Sequence, residues 1–150
     1  MRVLIVGVST RAAAESAARA GFEVIALDGY ADLDQHPAVR ALSLSRDFGM
    51  AFSAEAIVNA ASQMTSDAVV YLSNLENHPR AVEALSTGRA LWGNAPAVLR
   101  RVRDPSALAS AFAGRGLRAP RVLRSQPDAQ GIGTRWLIKP RVSGGGHGVR

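Results

Sequence analysis

The first 28 residues constrain this chain more than any other segment. Arg2-Val3-Leu4-Ile5-Val6-Gly7 is a near-continuous apolar run rich in β-branched side chains, the pattern of a strand buried on both faces. Ser9 or Thr10 can cap a following helix, and the Ala-rich stretch Ala12 to Ala20 ends at Gly21, a natural residue just past a helix C-terminus. Phe22-Glu23-Val24-Ile25-Ala26-Leu27-Asp28 is a second strand. Strand, helix and strand in so short a space form a βαβ unit, with parallel strands and a right-handed crossover.

The alternation continues beyond that unit. Gly29 to Pro37 is polar and reads as a loop, and residues 40–45 alternate polar and apolar as a short strand. Ser53 caps a helix through about Met64, Ala68 to Leu72 is another buried strand, and Pro79 opens a helix running to Gly88. Arg89-Ala90-Leu91-Trp92 is a small strand before Gly93-Asn94. This order predicts an α/β fold, a parallel sheet with helices on both faces. From Pro96 the character changes. Pro96 to Arg103 is a short basic helix, and Asp104-Pro105 provides an N-cap and a proline at the first helical position for a second, through about Gly114. Strands are expected at 121–124 and 135–139. The domain boundary falls near 95–118, dividing the chain into 1–95 and 96–150. Two strands and a glycine-rich end do not make a lobe, so the natural protein is expected to be longer.

Composition excludes several classes. With 47% hydrophobic and 20% charged residues the chain has the balance of a globular domain, and 150 residues suffice for one core. No window of ~18 apolar residues lacks a charge, the N-terminal apolar run is too short for a signal peptide, and there is no cysteine. Disulfide scaffolds and thiolate chemistry are thereby excluded, and a cytoplasmic location with no membrane partner is expected. The net charge of +6 is unevenly placed: residues 1–86 hold 6 basic and 10 acidic side chains, residues 87–150 hold 12 and 2. That surplus points to phosphate or nucleic acid. Arg100, Arg101 and Arg103 cluster without interleaved aromatics, which argues against nucleic acid and for a solvated or interdomain face.

The strongest chemical signal lies at the end. Trp136-Leu137-Ile138-Lys139 delivers the only lysine among 18 basic residues to Ser143-Gly144-Gly145-Gly146-His147-Gly148. Glycines let a backbone approach phosphate oxygens, and a lysine supplies a compact cation. The order is the reverse of a Walker A loop, in which the lysine follows the glycines. At the other end, Gly7-x-Ser9-x-x-Ala12 partly matches a dinucleotide fingerprint, with Asp28 placed to grip a ribose or to serve as a plain turn residue. The helix start at Thr10-Arg11 is an anion site by geometry. Ser9, Arg11 and the Ser73-Asn74-Leu75-Glu76-Asn77 loop fall at C-terminal strand ends, where open α/β sheets bind ligands. His36, His78 and His147 share no metal-ligand spacing, and no Gly-x-Ser-x-Gly nucleophile motif is present.

The lysine-then-glycine-loop order resembles the nucleotide-closing loop of the ATP-grasp superfamily. Gly93-Asn94, Leu99, Asp104, a helix, Gly116 and Pro120 are similar to the linker by which those enzymes enter their ATP-binding lobe. Ser9-Thr10-Arg11-Ala12-x-Ala14-Glu15-Ser16-Ala17, Gly21, Asp28 and Asp32-x-Asp34 resemble the carboxylate–amine ligase branch. The resemblance spans nearly the whole chain. It implies a Rossmann-like N-terminal domain followed by the start of an ATP-grasp α+β lobe. The activity it implies is an ATP-dependent carboxylate–amine or carboxylate–thiol ligase working through an acyl-phosphate. ATP and Mg²⁺ are the implied cofactors, with Lys139 on the ATP phosphates and Ser143 to Gly148 folding over them. The first domain would shape the pocket for a small carboxylate or amine, with Ser9, Arg11, Asp28, Asn74 and Glu76 as its residues. Many members carry a basic residue where this chain has Pro105. The family's magnesium ligands and adenine hinge lie past residue 150, so this part alone is not catalytic. A partial lobe leaves strand edges unpaired, and pairing into a homodimer is expected. Two alternatives stay open: a nucleotide- or dinucleotide-binding regulatory module centred on Gly7 to Asp28, and a basic nucleic-acid-binding domain.

Overall fold

The computed structural model describes residues 1–30, 32–123, 125 and 136–150. Two compact units divide the chain, Met1–Pro96 and Ala97–Arg150. The first runs β1 (Arg2–Val6), α1 (Arg11–Arg19), β2 (Glu23–Asp28), β3 (Val39–Ser43), α2 (Leu44–Phe48), α3 (Ala54–Ala61), β4 (Ala68–Tyr71), α4 (Pro79–Ser86) and β5 (Ala90–Leu91). All five strands are parallel, in the order β3-β2-β1-β4-β5.

The central strand explains the apolar run that opens the sequence. Val3, Leu4, Ile5 and Val6 are all at most 1% exposed, because each face of β1 is covered. Val3 and Ile5 join Ala14 of α1, Val24, Ala26 and Ala68 in one cluster. The pleat turns Leu4, Val6, Ile25, Leu27 and Val69 to the other face. There α3 packs on α4, and the two helices cover β2 and β4. The alanines of α1 bring its backbone close to the sheet, which is why a helix with a single fully buried residue can still cover one face.

Several local expectations change. A short helix, α2, interrupts the segment read as strand 40–45. Ser43 Oγ accepts from the Arg46 amide while the Ser43 amide donates to Asp47 Oδ2 at 2.7 Å, a reciprocal cap that stops β3. Thr10 occupies the N-cap position of α1, yet its side chain does not cap the helix. Ser53 does cap α3. Trp92 lies just past β5, edge-to-face with Phe22 at 5.4 Å.

Arg89 ties the lower rim of the sheet together. Its guanidinium donates to the carbonyls of Leu85 (3.0 Å), Ala61 (2.7 Å) and Met64 (2.6 Å) and to Ser66 Oγ (3.0 Å). It thereby satisfies the bare carbonyl ends of α3 and α4 with a cation. Arg89→Met keeps the stem and removes the donors. It should lower unfolding free energy by about 2–4 kcal/mol, read from denaturant melts, with Arg89→Lys recovering part.

α5 (Pro96–Val102), which belongs to the second unit from Ala97 on, leads to α6 (Pro105–Ala113), whose amides at Ser106 and Ala107 are capped by Asp104 Oδ1. The strands expected at 121–124 and 135–139 are not formed at residues 121–123 and 136–139; Arg124 and Arg135 lie outside the described residues. In place of a hairpin, Ile138 pairs with Arg150 through two backbone bonds of 2.7 and 3.1 Å. An isolated pair of strands gains too little to persist without a third.

Candidate functional site

In the first unit, the C-terminal edge of the sheet gathers the loops after β1, β2 and β4. Chain order runs outward from β1 in both directions, so the switch point of the sheet lies between β1 and β4. The two backbones meet there. The Val8 amide donates to the Ser73 carbonyl at 2.6 Å, and a Cβ on Gly7 would stand 2.8 Å from Leu72 Cβ. Glycine is required at position 7 by this approach, independently of any ligand.

Asp28 is 1% exposed and its carboxylate faces inward. Oδ2 accepts from the Thr10 hydroxyl at 2.7 Å and the Thr10 amide at 3.1 Å, and Oδ1 from the Tyr30 amide at 2.9 Å. Thr10 is itself fully buried. The carboxylate thus caps α1 from the neighbouring strand, pinning the first βα turn to the end of β2. A ribose-gripping role would need that carboxylate at the surface. Ser9 and Arg11, flanking Thr10, are exposed. Arg11 pairs with Asp34 at 2.5 Å, and its guanidinium holds the Asp34 carboxyl below the usual carboxylate range. With both partners at least half solvated, the pair contributes little to stability. Asn74 and Glu76 are partly exposed on a single 3₁₀ turn, Leu75–Asn77, anchored by buried Leu75; the Asn77 amide group donates to Asn74 Oδ1.

In the second unit, the loop 139–149 is closed at its base by the Ile138–Arg150 pair. Lys139 is exposed at that base. Gly145, Gly146 and Gly148 have φ of 61°, 77° and 73°, a region costly for side-chain-bearing residues. A Cβ on Gly148 would meet Pro140 at 2.8 Å, so the far end of the loop returns against the residue after Lys139. The amides of His147 and Val149 bond to the carbonyls of Gly144 and Gly146. Among the described residues, those of Gly144, Gly145, Gly146 and Gly148 make no hydrogen bond. Backbone N–H groups without a partner, on a loop that a lysine opens, are the kind of groups that suit an anion. Ser143 is partly buried, its carbonyl accepting from Arg103 Nη2 at 2.8 Å, and His147 is exposed. Among the described residues, no three His, Cys, Asp or Glu side chains group together as a metal site would need, and no helix is long and apolar enough to cross a membrane.

Sequence reasoning singled out Asp28 and Arg11 but not the roles of their partners, Thr10 and Asp34, and it counted Arg103 only as part of a basic cluster. Thr10 and Asp34 carried a faint signal, since polar residues at strand ends pair across neighbouring loops. Arg103 carried none.

No protein-family profile matches the chain, and no curated protein is a detectable relative. Solved structures share its fold. Pyruvate carboxylase of Rhizobium etli matches 99% of this chain with a TM-score of 0.69 at 18% identity. Biotin carboxylase of Campylobacter jejuni, solved as a β,γ-ATP complex, matches 98% with a TM-score of 0.65, also at 18%. L-amino acid ligase of Bacillus licheniformis matches 95% with a TM-score of 0.63 at 22%. The chain spans 15%, 37% and 37% of those three proteins. It shares with part of each of them an α/β fold built on a parallel sheet, the fold class expected from the sequence.

Proposed function

We propose that this chain forms the N-terminal part of an ATP-dependent carboxylate–amine or carboxylate–thiol ligase, and that its second unit holds the ATP phosphates. The observation that carries this reading is the set of four uncommitted glycine amides on the loop that Lys139 opens. ATP would supply the phosphoryl group that activates a carboxylate as an acyl-phosphate. The residues here bind and orient: Lys139 offsets phosphate charge, and the amides of Gly144, Gly145, Gly146 and Gly148 direct hydrogen bonds at its oxygens. Ser143 leads into the glycines, and His147 stands exposed between Gly146 and Gly148. The described carboxylates do not group to hold Mg²⁺, so no step is assigned to that ion here. Ser9, Arg11, Asn74 and Glu76 line the rim where a small carboxylate or amine would enter, with Asp28 holding that rim in place from beneath.

Amide resonances of an isotopically labelled chain test the reading. Added ATP should shift the signals of Gly144, Gly145, Gly146 and Gly148, adenosine should not, and rising salt should weaken the effect. Equal responses to ATP and adenosine, or no response at the loop, would overturn it.

A further inference from the structure

We infer that Arg103 is a positioning residue for the glycine loop, aiming its first amide through the carbonyl of Ser143; this rests on the phosphate-binding reading above. Arg103 directly follows the last residue of α5, and its Nη2 donates to the Ser143 carbonyl at 2.8 Å across 40 residues of sequence. The Ser143–Gly144 peptide is trans, so its N–H points away from its C=O. Fixing the carbonyl on Arg103 therefore turns the Gly144 amide to the opposite side, as an outward donor. A cationic donor on the carbonyl also polarises the peptide, making that N–H a stronger donor to an anion. Next to Arg103, Asp104 caps α6 through Oδ1, and its Oδ2 lies 3.9 Å from Arg141. The α5–α6 junction thus bonds to the chain at Ser143 and sets an opposite charge near Arg141, on the approach to the glycines and not within them. The glycines stay free to adapt, while their entry point is set by a guanidinium that itself touches no phosphate.

Binding of inorganic tripolyphosphate to the 150-residue chain, followed by calorimetry, tests this. Arg103→Met keeps the aliphatic stem and loses the donor. It should weaken binding roughly tenfold and shift the Gly144 amide resonance, with the thermal midpoint little changed. Arg103→Lys, which can still donate to one carbonyl, should recover part of the affinity. If Lys139→Ala loses binding while Arg103→Met binds as the parent does, the inference fails and the phosphate-loop reading stands. Loss in Arg103→Met with no recovery in Arg103→Lys and no change at Gly144 would also overturn it, leaving Arg103 a packing residue. If the parent chain does not bind tripolyphosphate, the phosphate-loop reading falls and takes the inference with it.

Discussion

Lys139→Ala is expected to weaken ATP binding by roughly 10–100-fold, the range for losing a charge-assisted hydrogen bond to a phosphate. The chain has 17 arginines and one lysine, so no second ammonium can substitute for it. Lys139 stands where the two ends of the loop converge: Ile138 pairs with Arg150, and Pro140 lies against Gly148. A compact cation on a flexible stem can reach any oxygen presented to the loop amides. A guanidinium needs a planar pair of acceptors, so Lys139→Arg should fall between parent and alanine. Titrations at several salt concentrations provide a second check, because removing the charge should flatten the salt dependence. Unchanged affinity in Lys139→Ala would remove the lysine from the site.

The second large effect is expected on stability. Asp28→Ala should lower unfolding free energy by about 3–5 kcal/mol, since it strips a buried carboxylate from the Thr10 hydroxyl and amide, which are buried with it, and from the part-buried Tyr30 amide. Loss on that scale is a large share of the ~5–15 kcal/mol that holds a domain of this size together. Thr10→Val removes one donor and should cost about 1–1.5 kcal/mol. Combined, the two changes should cost less than their sum, because they break a shared bond. Chemical denaturation of the four proteins gives all these values. If Asp28→Ala proves as stable as the parent, the carboxylate does not pin the first βα turn to β2. NAD titration then becomes the decisive measurement for the dinucleotide alternative.

What could be read from sequence depended on how local the cause was. β1, β2 and β4 were legible because a strand covered on both faces must be apolar at every position, and Val3 to Val6 satisfy this without reference to anything distant. Helix starts at Ser53 and Asp104 were legible because their caps act within three residues. The failures come from partners brought in by the fold. Residues 40–45 alternate like a strand throughout, but the Ser43–Asp47 exchange of backbone and side-chain bonds favours a helical turn from Leu44. Thr10 has the chemistry of a cap, yet Asp28 on the adjacent strand accepts its hydroxyl. Trp136 to Lys139 has strand composition and, among the described residues, no strand to pair with. Within the candidate site, the lysine and the glycines were visible because their chemistry is carried by residue type. Arg103 was not, since nothing in a run of arginines says which one will meet a carbonyl 40 residues on.

The register of the central strand also sets a timetable for synthesis. Val3 pairs with Val24 on one side and with Ala68 on the other. At roughly 5–20 residues per second, a ribosome needs about 3–13 s to advance from the first strand to the fourth. Through that interval the most apolar segment of the nascent chain has one hydrogen-bonding edge without its partner. Codon choice or chaperone supply between residues 28 and 68 should therefore govern the yield of folded protein more than either does after β4 has emerged.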